Sequence, residues 1–413
     1  MNELFTVRTP SDALAVLARA CSPTARRDIV PLDRSLGRVV PEDVLAGESL
    51  PSFARSTMDG YAVRARDTHG ASEQSPAYLR LAGDVPTGVV PSVRVGEREA
   101  VRTHTGAMIP PGADAVVIVE DTNLHGDEVE VLAAAAPGEN VLTRGEDVAA
   151  GTVAVPAGRR LRAADCGGLA ALGVTELRVY GRPRVAILST GDEVVPPSAT
   201  PGPAQVRDVN ATTVAAVVRE AGGEPVAHGI APDDEAALAA AARAALAGAD
   251  MLVLSAGSSV SVRDLTARVV DALGAPGVLV HGIAIKPGKP TVLAQCDGKP
   301  VVGLPGNPAS ALVVAWRVLA PLVRLLGGER IDGAACERSE RAAVLDLPVP
   351  SRPGREDYVP CRLARDANGT LHATPLFGSS NLIFTLVRAD GLIAVPLDRS
   401  GIPAGERVQV IVP

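Results

Sequence analysis

The stretch "VVGLPGNPASALVVAWRVLAPLVRLLGG" (residues 301–328) decides the fold, because it joins an apolar strand to a long apolar helix through a short turn. Asn307 is a typical N-cap residue, Pro308 suits the first helical position, and two glycines end the pattern. A strand that leads directly into a helix is the repeating unit of α/β domains.

The rest of residues 182–328 repeats this alternation. Segments with helical spacing lie between apolar runs that are typical of buried strands. The helical segments are "VNATTVAAVVREAGG" (209–223) and "DDEAALAAAARAALAGA" (233–249), and the strands are "RVAILST" (184–190), "DMLVLSAG" (250–257), "GVLVHGI" (277–283), "PTVLAQC" (290–296) and "PVVGLP" (300–305). The first two strand segments are expected to be parallel. The sequence therefore predicts a doubly wound α/β domain.

The flanking regions have a different texture. Residues 46–144 combine short apolar runs with many glycines and prolines and few helix signals, which predicts a β-rich unit. Residues 340–413 return to short strands and turns and predict a small β domain. The residues alone leave open whether the first β-rich unit is inserted between two halves of another domain.

The composition excludes several kinds of partner. A formal net charge of −7 disfavours binding to DNA, RNA or an anionic membrane, and an aromatic content of 2% argues against base stacking. The cysteines and histidines form neither C-x-x-C nor H-x-x-x-H, so we expect no zinc site and a reducing compartment. No run approaches the length of a membrane span and no leader is visible, so we expect a cytoplasmic protein.

The lysines of the chain all lie in one short span. Of the 40 lysine and arginine residues, only Lys286, Lys289 and Lys299 are lysines. The first two bracket Pro-Gly in "KPGKP" (286–290), which follows a predicted strand. Ligands of open α/β sheets bind beyond the carboxyl ends of the strands, and lysine is a compact charge suited to an oxyanion. The pattern predicts that Lys286 and Lys289 bind an anion; ordinary surface lysines are the alternative. Lys299 is expected to be a loop residue.

Three further loops are predicted at the same edge of the sheet. They are "STGDE" (189–193), "SAGSSVSVRD" (255–264) and "LPGNPAS" (304–310), and all are rich in small residues. Small residues let backbone N–H groups approach an anion, and a helix N-terminus adds a favourable dipole. We therefore expect Asn307 to Ser310 to face the ligand.

Carboxylates are dense at these boundaries. They are Asp192, Glu193, Asp208, Asp233 and Asp264. Such groups would repel an anion unless a cation intervened, and Mg²⁺ held by carboxylate and phosphate oxygens fits this need. Helix capping is the alternative for Asp208 and Asp233.

The motifs taken together resemble one family. "STMDGYA" (56–62), "THTGAMIPPGADAVV" (103–117), "RGEDV" (144–148), "STGDE", "IKPGKP" (285–290) and "GLPGNPAS" (303–310) occur in the order and spacing of the molybdopterin molybdenumtransferases, which include bacterial MoeA and the E domain of gephyrin. The resemblance runs over nearly the whole chain.

The resemblance implies four domains and a dimer. Residues 1–45 and 145–181 would form a split N-terminal domain, interrupted by an inserted β-rich domain at 46–144. A MogA-like α/β domain at 182–328 and a small β-barrel-like domain at 329–413 would follow. Family members are elongated homodimers whose site lies between the α/β domain of one subunit and the inserted domain of the other.

The resemblance also implies a reaction. Adenylylated molybdopterin and molybdate would be the substrates, and Mg²⁺ would assist the release of AMP and the insertion of molybdenum to give molybdenum cofactor. A molybdopterin adenylyltransferase and recipient molybdoenzymes are the expected partner proteins.

Residues of this chain that match family positions are Asp59, Thr105, Asp147, Glu193, Asp233, Asp264, Lys286, Lys289, Ser310 and Ser380. We assign catalytic roles to Asp59, Asp147, Asp192, Glu193, Asp233 and Asp264, with Glu193, Asp233 and Asp264 as the ligands of Mg²⁺. We assign substrate binding to Thr105, Ser189, Thr190, Gly191, Asp208, Asn210, Lys286, Lys289, Pro305, Gly306, Asn307, Ser310, Arg355 and Ser380.

Two loops depart from the family pattern. The loop that usually reads Gly-Gly-x-Ser-x-Gly is "SAGSSVSVRD" here, and Val209 replaces a hydroxyl residue in "DVN" (208–210). We expect altered pterin or nucleotide contacts there. Two other functions stay open: an enzyme similar to molybdopterin adenylyltransferase, which resembles the α/β domain alone, and a non-catalytic scaffold like gephyrin's E domain.

Overall fold

A computed structural model describes residues 8–255, 260–330 and 340–412, with the backbone alone for 260–264. The chain forms two compact units. Unit 1 comprises Met1–Pro41, Gly158–Leu161 and Leu177–Pro413, and unit 2 comprises Glu42–Ala157 and Arg162–Glu176. This division is coarser than the four predicted domains, whose boundaries stay a prediction.

The helices of the described residues are α1 (Pro10–Ala20), α2 (Ala163–Ala171), α3 (Asn210–Glu220), α4 (Glu235–Ala247), α5 (Val260–Asp271), α6 (Pro308–Val314), α7 (Ala320–Leu326) and α8 (Ile383–Val387). A π-helical turn (Ala315–Leu319) joins α6 to α7, so that one helix runs from Pro308 to Leu326.

The strands before the α/β domain are β1 (Arg27–Pro31), β2 (Val44–Leu45), β3 (Arg55–Ser56), β4 (Gly60–Val63), β5 (Ala77–Val85), β6 (Glu99–Thr103), β7 (Ala115–Ile118), β8 (Thr122–His125), β9 (Glu128–Val131), β10 (Val141–Leu142), β11 (Val153–Val155) and β12 (Glu176–Tyr180). Those that follow are β13 (Arg184–Thr190), β14 (Val194–Val195), β15 (Val206–Arg207), β16 (Glu224–Ala231), β17 (Met251–Ser255), β18 (Pro276–His281), β19 (Ile285–Lys286), β20 (Val292–Cys296), β21 (Lys299–Leu304), β22 (Glu340–Leu345), β23 (Val349–Pro350), β24 (Glu356–Arg365), β25 (Leu371–Pro375), β26 (Gly391–Val395), β27 (Gly401–Ile402) and β28 (Arg407–Ile411).

The predicted doubly wound α/β domain is confirmed. Its sheet has the order β16-β13-β17-β21-β20-β18, and helices pack on both faces. Val185 and Ile187 of β13 face the core that contains α3 and α6, whereas Ala186 and Leu188 face the core that contains α4. Successive residues of a strand point to opposite faces, which is why these strands are apolar throughout.

One edge of the sheet is mixed rather than parallel. The strands β16, β13, β17 and β21 are parallel neighbours, but β20 runs antiparallel to both β21 and β18. The "KPGKP" segment connects β18 to β20. It therefore lies at the same edge as the carboxyl ends of the parallel strands, as the sequence predicted.

The long helix from Pro308 to Leu326 has 19 residues and is apolar enough to cross a membrane, so the expectation that no segment reaches this length was wrong. The structure buries 72% of its apolar window. Val314, Val318 and Leu322 pack in the same core as β13. Its sequence is apolar because the helix is a core element of unit 1.

The C-terminal region forms a closed five-stranded barrel, which confirms the predicted small β domain. The ring runs β24-β25-β22-β28-β26 and closes through pairing of β26 with β24. Its interior holds apolar side chains such as Val349, Ile393 and Val410. Closing the ring removes the exposed strand edges that an open sheet of this size would present.

The two-residue strand β19 attaches the "KPGKP" segment to this barrel. It pairs in parallel with β24, which places Ile285 opposite Glu356 and Lys286 opposite Asp357. The Glu356 N–H also donates to the carbonyl oxygen of Ala284 at 2.9 Å. The lysine segment is thus held between the α/β sheet and the barrel.

Unit 2 contains the predicted β-rich region. A six-stranded sheet has the order β7-β4-β6-β5-β9-β8, and its apolar core includes Val63, Leu79 and Val129. Gly60 begins β4 where a side chain has no room, since a Cβ there would lie 2.0 Å from the carbonyl oxygen of Val117. This close approach explains the glycine in "MDGYA".

Gly288 packs the lysine segment against the long helix, and its replacement by alanine should destabilise the fold. Its φ is +124°, and an added Cβ would lie 2.4 Å from Cγ2 of Val314. Gly298→Ala is the matched control, because Gly298 also has a positive φ (+85°) but open space around it. We expect the control to cost about 1–2 kcal/mol and Gly288→Ala about 1–3 kcal/mol more in urea unfolding. Equal losses would contradict this packing.

Candidate active site

A cavity of about 550 Å³ lies where the lysine segment, the start of α6 and the barrel meet. It gathers most of the predicted anion-binding residues from three separate parts of the chain. Those residues are Lys286, Lys289, Pro305, Gly306, Asn307, Ser310, Arg355 and Ser380. We call it the first cavity.

The charges of the first cavity centre on Asp357, a residue that the sequence analysis missed. Its side chain is only 2% exposed, and its Oδ1 accepts from Nε of Arg355 at 2.8 Å. Nζ of Lys286 lies 3.7 Å from Oδ2. A buried carboxylate is tolerated only when it is paired. A signal was present in the sequence, since Arg355 and Asp357 carry opposite charges two residues apart at the start of β24.

The other two lysines differ from each other. The side chain of Lys289 is exposed and lines the first cavity, and no carboxylate lies within 4.0 Å of it in the described part of the chain. Lys299 begins β21 instead of lying in a loop, and its ammonium donates to the carbonyl oxygen of Leu246 at 2.7 Å. Since Leu246 is in the last turn of α4, Lys299 acts as a helix cap.

The start of α6 is tied to the barrel. Asn307 precedes the first helical residue, as predicted, but its side chain makes no capping bond and donates from Nδ2 to Oγ of Ser380 at 2.9 Å. The N–H of Ala309 donates to the carbonyl oxygen of Ser380 at 3.1 Å, so a ligand does not have this donor. Ser310 is buried at the cavity wall.

One phenol completes the wall of the first cavity. Burial raises the pKa of Tyr358 far above its ordinary range, so the phenol stays neutral at physiological pH. Its hydroxyl donates to Oε2 of Glu356 at 2.5 Å, and the guanidinium of Arg317 lies over its ring at 5.3 Å. Tyr358 therefore contributes a rigid apolar surface and no charge.

A second cavity of about 510 Å³ adjoins the first. The two share Gly306 and Asn307 in their walls. The second cavity is lined by the other predicted group, namely Ser189, Thr190, Glu193, Asp208 and Asn210, and by Val209. The lysines and the acidic residues of the α/β domain thus line adjoining cavities that meet at the start of α6.

Asp208 is occupied by the fold, which favours the capping alternative. Its Oδ2 accepts from the Ser189 hydroxyl at 2.6 Å, and its Oδ1 accepts from the N–H of Ala211 at 2.9 Å. Ala211 lies in the first turn of α3, where backbone N–H groups lack helical partners. Asp208 therefore stabilises the start of this helix.

Asp233 does not cap its helix, so the capping alternative was wrong there. Asp234 is the N-cap of α4 and accepts from the N–H of Ala237. The carboxylate of Asp233 instead accepts from the Thr190 hydroxyl at 2.8 Å. The backbone N–H of Asp233 donates to Oδ1 of Asp192 at 3.2 Å. These contacts bring the acidic side chains after β13 and β16 together.

Asn210 is buried beside Ser255 at the second cavity. Its Nδ2 donates to Oγ of Ser255 at 2.8 Å and to the carbonyl oxygen of Gly306 at 2.9 Å. Its Oδ1 has no hydrogen-bond partner among the described residues. The amide is therefore held from one side and retains an acceptor.

The acidic residues fit Mg²⁺ only in part. Among the described residues, no three His, Cys, Asp or Glu side chains form a group that could hold a metal ion. Asp192 and Asp233 are adjacent, Glu193 lines the second cavity, and the side chain of Asp264 lies outside the described residues. One or two carboxylates suffice when phosphate oxygens complete the coordination of Mg²⁺.

Three predicted residues, Asp59, Thr105 and Asp147, lie in unit 2. Oδ1 of Asp59 accepts from the N–H of Thr105 at 2.8 Å, and Nδ1 of His104 lies 3.9 Å away. Nε2 of His104 is 3.1 Å from Asp84. The carboxylate of Asp147 is exposed. The structure thus brings Asp59 and Thr105 into contact.

Two further predicted features lie at the carboxyl ends of β13 and β17. Gly191 has a φ of +145°, a conformation that residues with side chains rarely adopt, and it is buried directly after β13. Residues 256–259 of the unusual "SAGSSVSVRD" segment lie outside the described residues. The segment was predicted to be a loop, but the backbone of residues 260–264 forms the first turn of α5, and only Ser255 is described with its side chain.

Comparisons with known proteins agree with this architecture. Three family models match consecutive parts of the chain. They are the MoeA N-terminal region (domain I and II) over residues 8–173, the probable molybdopterin binding domain over 186–325 and the MoeA C-terminal region (domain IV) over 342–412. These matches define the class as multidomain proteins of the MoeA type, which contain a probable molybdopterin binding domain.

Full-length relatives narrow this class. Molybdopterin molybdenumtransferase 2 of Mycobacterium tuberculosis (strain H37Rv) is 37% identical over 404 residues, covering 96% of each chain. Molybdopterin molybdenumtransferase of Bacillus subtilis (strain 168) is 31% identical over 98% of this chain and 94% of its own. A molybdopterin biosynthesis MoeA protein from Pyrococcus horikoshii OT3 superposes with a TM-score of 0.82 at 28% identity, covering 99% of this chain and 100% of its own. The chain belongs to the molybdopterin molybdenumtransferase family, whose members are transferases of molybdenum cofactor biosynthesis.

The contacts of Asp208 and Asp233 predict different costs for their removal. Asp208→Ala removes two hydrogen bonds and leaves a buried Ser189 hydroxyl without its acceptor, so it should lower the free energy of unfolding by about 1–3 kcal/mol. Asp233→Ala, the matched control, loses one bond to Thr190 and should cost about 0.5–1 kcal/mol. Urea unfolding measures both, and a larger loss for Asp233→Ala would contradict the assignment of the helix cap.

Proposed function

We propose that this protein inserts molybdate into adenylylated molybdopterin and releases AMP, giving molybdenum cofactor. One observation carries the proposal: among the described residues, the charged groups that line the first cavity are Lys286, Lys289 and Arg355 and one buried carboxylate, Asp357, which pairs with Lys286 and Arg355. Three cations against one anion leave a surplus of positive charge in a partly enclosed space. This arrangement suits a small dianion such as molybdate.

The donors of the first cavity fit a tetrahedral oxyanion. The ammonium of Lys289 has no competing carboxylate among the described residues, and the hydroxyls of Ser310 and Ser380 lie in the same wall. We assign molybdate to this cavity.

The second cavity is suited to the adenylylated substrate. It offers the neutral groups of Ser189, Thr190 and Asn210 close to the carboxylate of Glu193. Because the two cavities share Gly306 and Asn307, a substrate in the second cavity would lie beside an anion in the first. Adjacent binding of the two reactants is the main contribution that such a site makes to a transfer reaction.

The acidic residues would then assist cleavage of the adenylate. Asp192 and Asp233 would hold Mg²⁺ together with phosphate oxygens of the substrate, and the bound ion would supply positive charge to those oxygens. Glu193 would face the substrate from the wall of the second cavity. The Thr190 hydroxyl fixes the carboxylate of Asp233 at 2.8 Å, which keeps it oriented. Water would attack one phosphorus of the phosphoanhydride and the P–O–P bridge would break, which gives AMP and the phosphate monoester of molybdopterin. The proton of the water would pass to a nearby carboxylate.

We also propose a cytoplasmic homodimer. Asp59 and Thr105 touch each other on unit 2, and Asp147 is exposed on the same unit. In the dimer that the family resemblance implies, these residues of one subunit would complete the site on the other. Relatives that match over nearly the full chain favour this enzyme over one with the α/β domain alone. The lysines and the arginine that line the first cavity favour catalysis over a scaffold role.

Lys289→Met tests the proposal, with Lys299→Met as the matched control. Lys289→Met should reduce molybdenum insertion about tenfold to a hundredfold, because a charged donor to the oxyanion is lost. Lys299→Met should retain insertion while losing about 1 kcal/mol of stability through the lost cap on α4.

The measurement is AMP release from adenylylated molybdopterin with and without molybdate, together with the molybdenum content of the product. Full insertion by a folded Lys289→Met variant would contradict the assignment of molybdate to the first cavity. A chain that turns over unmodified molybdopterin and ATP instead would show adenylyltransferase activity.

A further inference from the structure

Asp357 is the most deeply buried charge beside the first cavity. Both of its carboxylate oxygens face cations: Oδ1 lies 2.8 Å from Nε of Arg355, and Oδ2 lies 3.4 Å from Nη2 of Arg355 and 3.7 Å from Nζ of Lys286. Its side chain is 2% exposed, whereas that of Lys286 is 59% exposed and that of Arg355 is 32% exposed. The carboxylate therefore lies behind the two cations and holds them from the protein side.

The backbone fixes the position of this carboxylate. Asp357 is the second residue of β24, where it pairs with Lys286 of β19 and with Val395 of β26. A residue held by a strand on each side cannot shift along the sheet without breaking both ladders. Lys286 and Arg355 therefore pair with one carboxylate whose position is fixed, although they come from distant parts of the chain.

The contacts leave donors available on the cavity side. Arg355 presents Nε and Nη2 to Asp357, and its Nη1 has no hydrogen-bond partner among the residues that the structure describes, so Nη1 is available to a ligand. Lys286 is within ion-pair distance of Asp357 but beyond hydrogen-bond distance, so its N–H groups also remain. We propose that Asp357 is a positioning residue for oxyanion binding, which orients Arg355 and Lys286 toward a tetrahedral dianion; this inference rests on the function proposed for the first cavity.

Two accounts of Asp357 predict effects of opposite sign. If the carboxylate acted only through its charge, its removal would strengthen anion binding, because a nearby negative charge repels the ligand. If it orients the two cations, its removal weakens binding, because their side chains lose a common anchor and must be ordered by the ligand. The direction of the change therefore separates the two accounts.

The test is calorimetric binding of sodium molybdate to the full chain, without any other substrate. Asp357→Asn should weaken molybdate binding about tenfold or more. Glu356→Gln is the matched control, since Glu356 is the adjacent residue of β24, bonds to the Tyr358 hydroxyl and is absent from the cavity wall among the described residues. The control should bind within about twofold of the parent chain. A folded Asp357→Asn variant that binds as tightly as the parent, or more tightly, overturns the inference.

Arg355→Lys is a second variant that does not depend on removing a buried charge. This variant keeps the positive charge at a half-exposed position, but the lysine ammonium cannot donate in the planar two-point geometry by which Nε and Nη2 of Arg355 contact the Asp357 carboxylate. We expect about tenfold weaker binding, and little further loss when Asp357→Asn is added, because both changes disrupt the same contact. Unchanged binding by Arg355→Lys, or fully additive losses in the double variant, overturns the inference even if Asp357→Asn alone fails to fold.

The same titrations separate this inference from the function that it deepens. A parent chain that binds no molybdate overturns the assignment of molybdate to the first cavity, and the role of Asp357 with it. A parent chain that binds molybdate beside an Asp357→Asn variant of equal affinity overturns the positioning role alone.

Discussion

The pairing of β19 with β24 is the constraint on which the site depends. Two residues of the segment between β18 and β20 form a parallel ladder with the barrel, and this ladder sets Lys286 opposite Asp357. Without it, the lysines would belong to a loop of the α/β domain and Arg355 to a separate barrel. With it, residues from both parts surround one cavity, and the amide of Asn307 adds a second link by donating to Ser380.

The distribution of charge follows from this geometry. Of the α/β domain's carboxylates whose side chains are described, none lines the first cavity. Glu193 and Asp208 line the adjoining cavity, and Asp208 also stabilises the start of α3. The carboxylate that pairs with Lys286 is Asp357, which is buried behind it. An anion in the first cavity therefore meets cations and hydroxyls, and the acidic groups beside the second cavity are free to serve a different step.

The sequence was sufficient to predict those features that depend on the spacing of apolar residues along a strand or helix. It predicted the alternation of strands and helices and the placement of "KPGKP" at the edge of the sheet where the parallel strands end. It could not show which strand of the barrel pairs with the lysine segment, so Asp357 was missed. It also could not tell that Asp234, rather than Asp233, caps α4, or that Lys299 caps the other end of the same helix, since both assignments depend on side-chain contacts. The division of the acidic and basic residues between two cavities likewise depends on tertiary packing.

The central claim is that the oxyanion binds in the cavity between the lysine segment and the barrel. Diffraction from crystals soaked in tungstate, a heavier analogue of molybdate, tests it directly, because the anomalous signal of tungsten locates the ion without reference to any assumed role. Our account predicts a tungsten peak within hydrogen-bonding reach of Lys289 and Arg355. A peak in the second cavity, beside Asp208 and Asn210, with none near the lysines would contradict it.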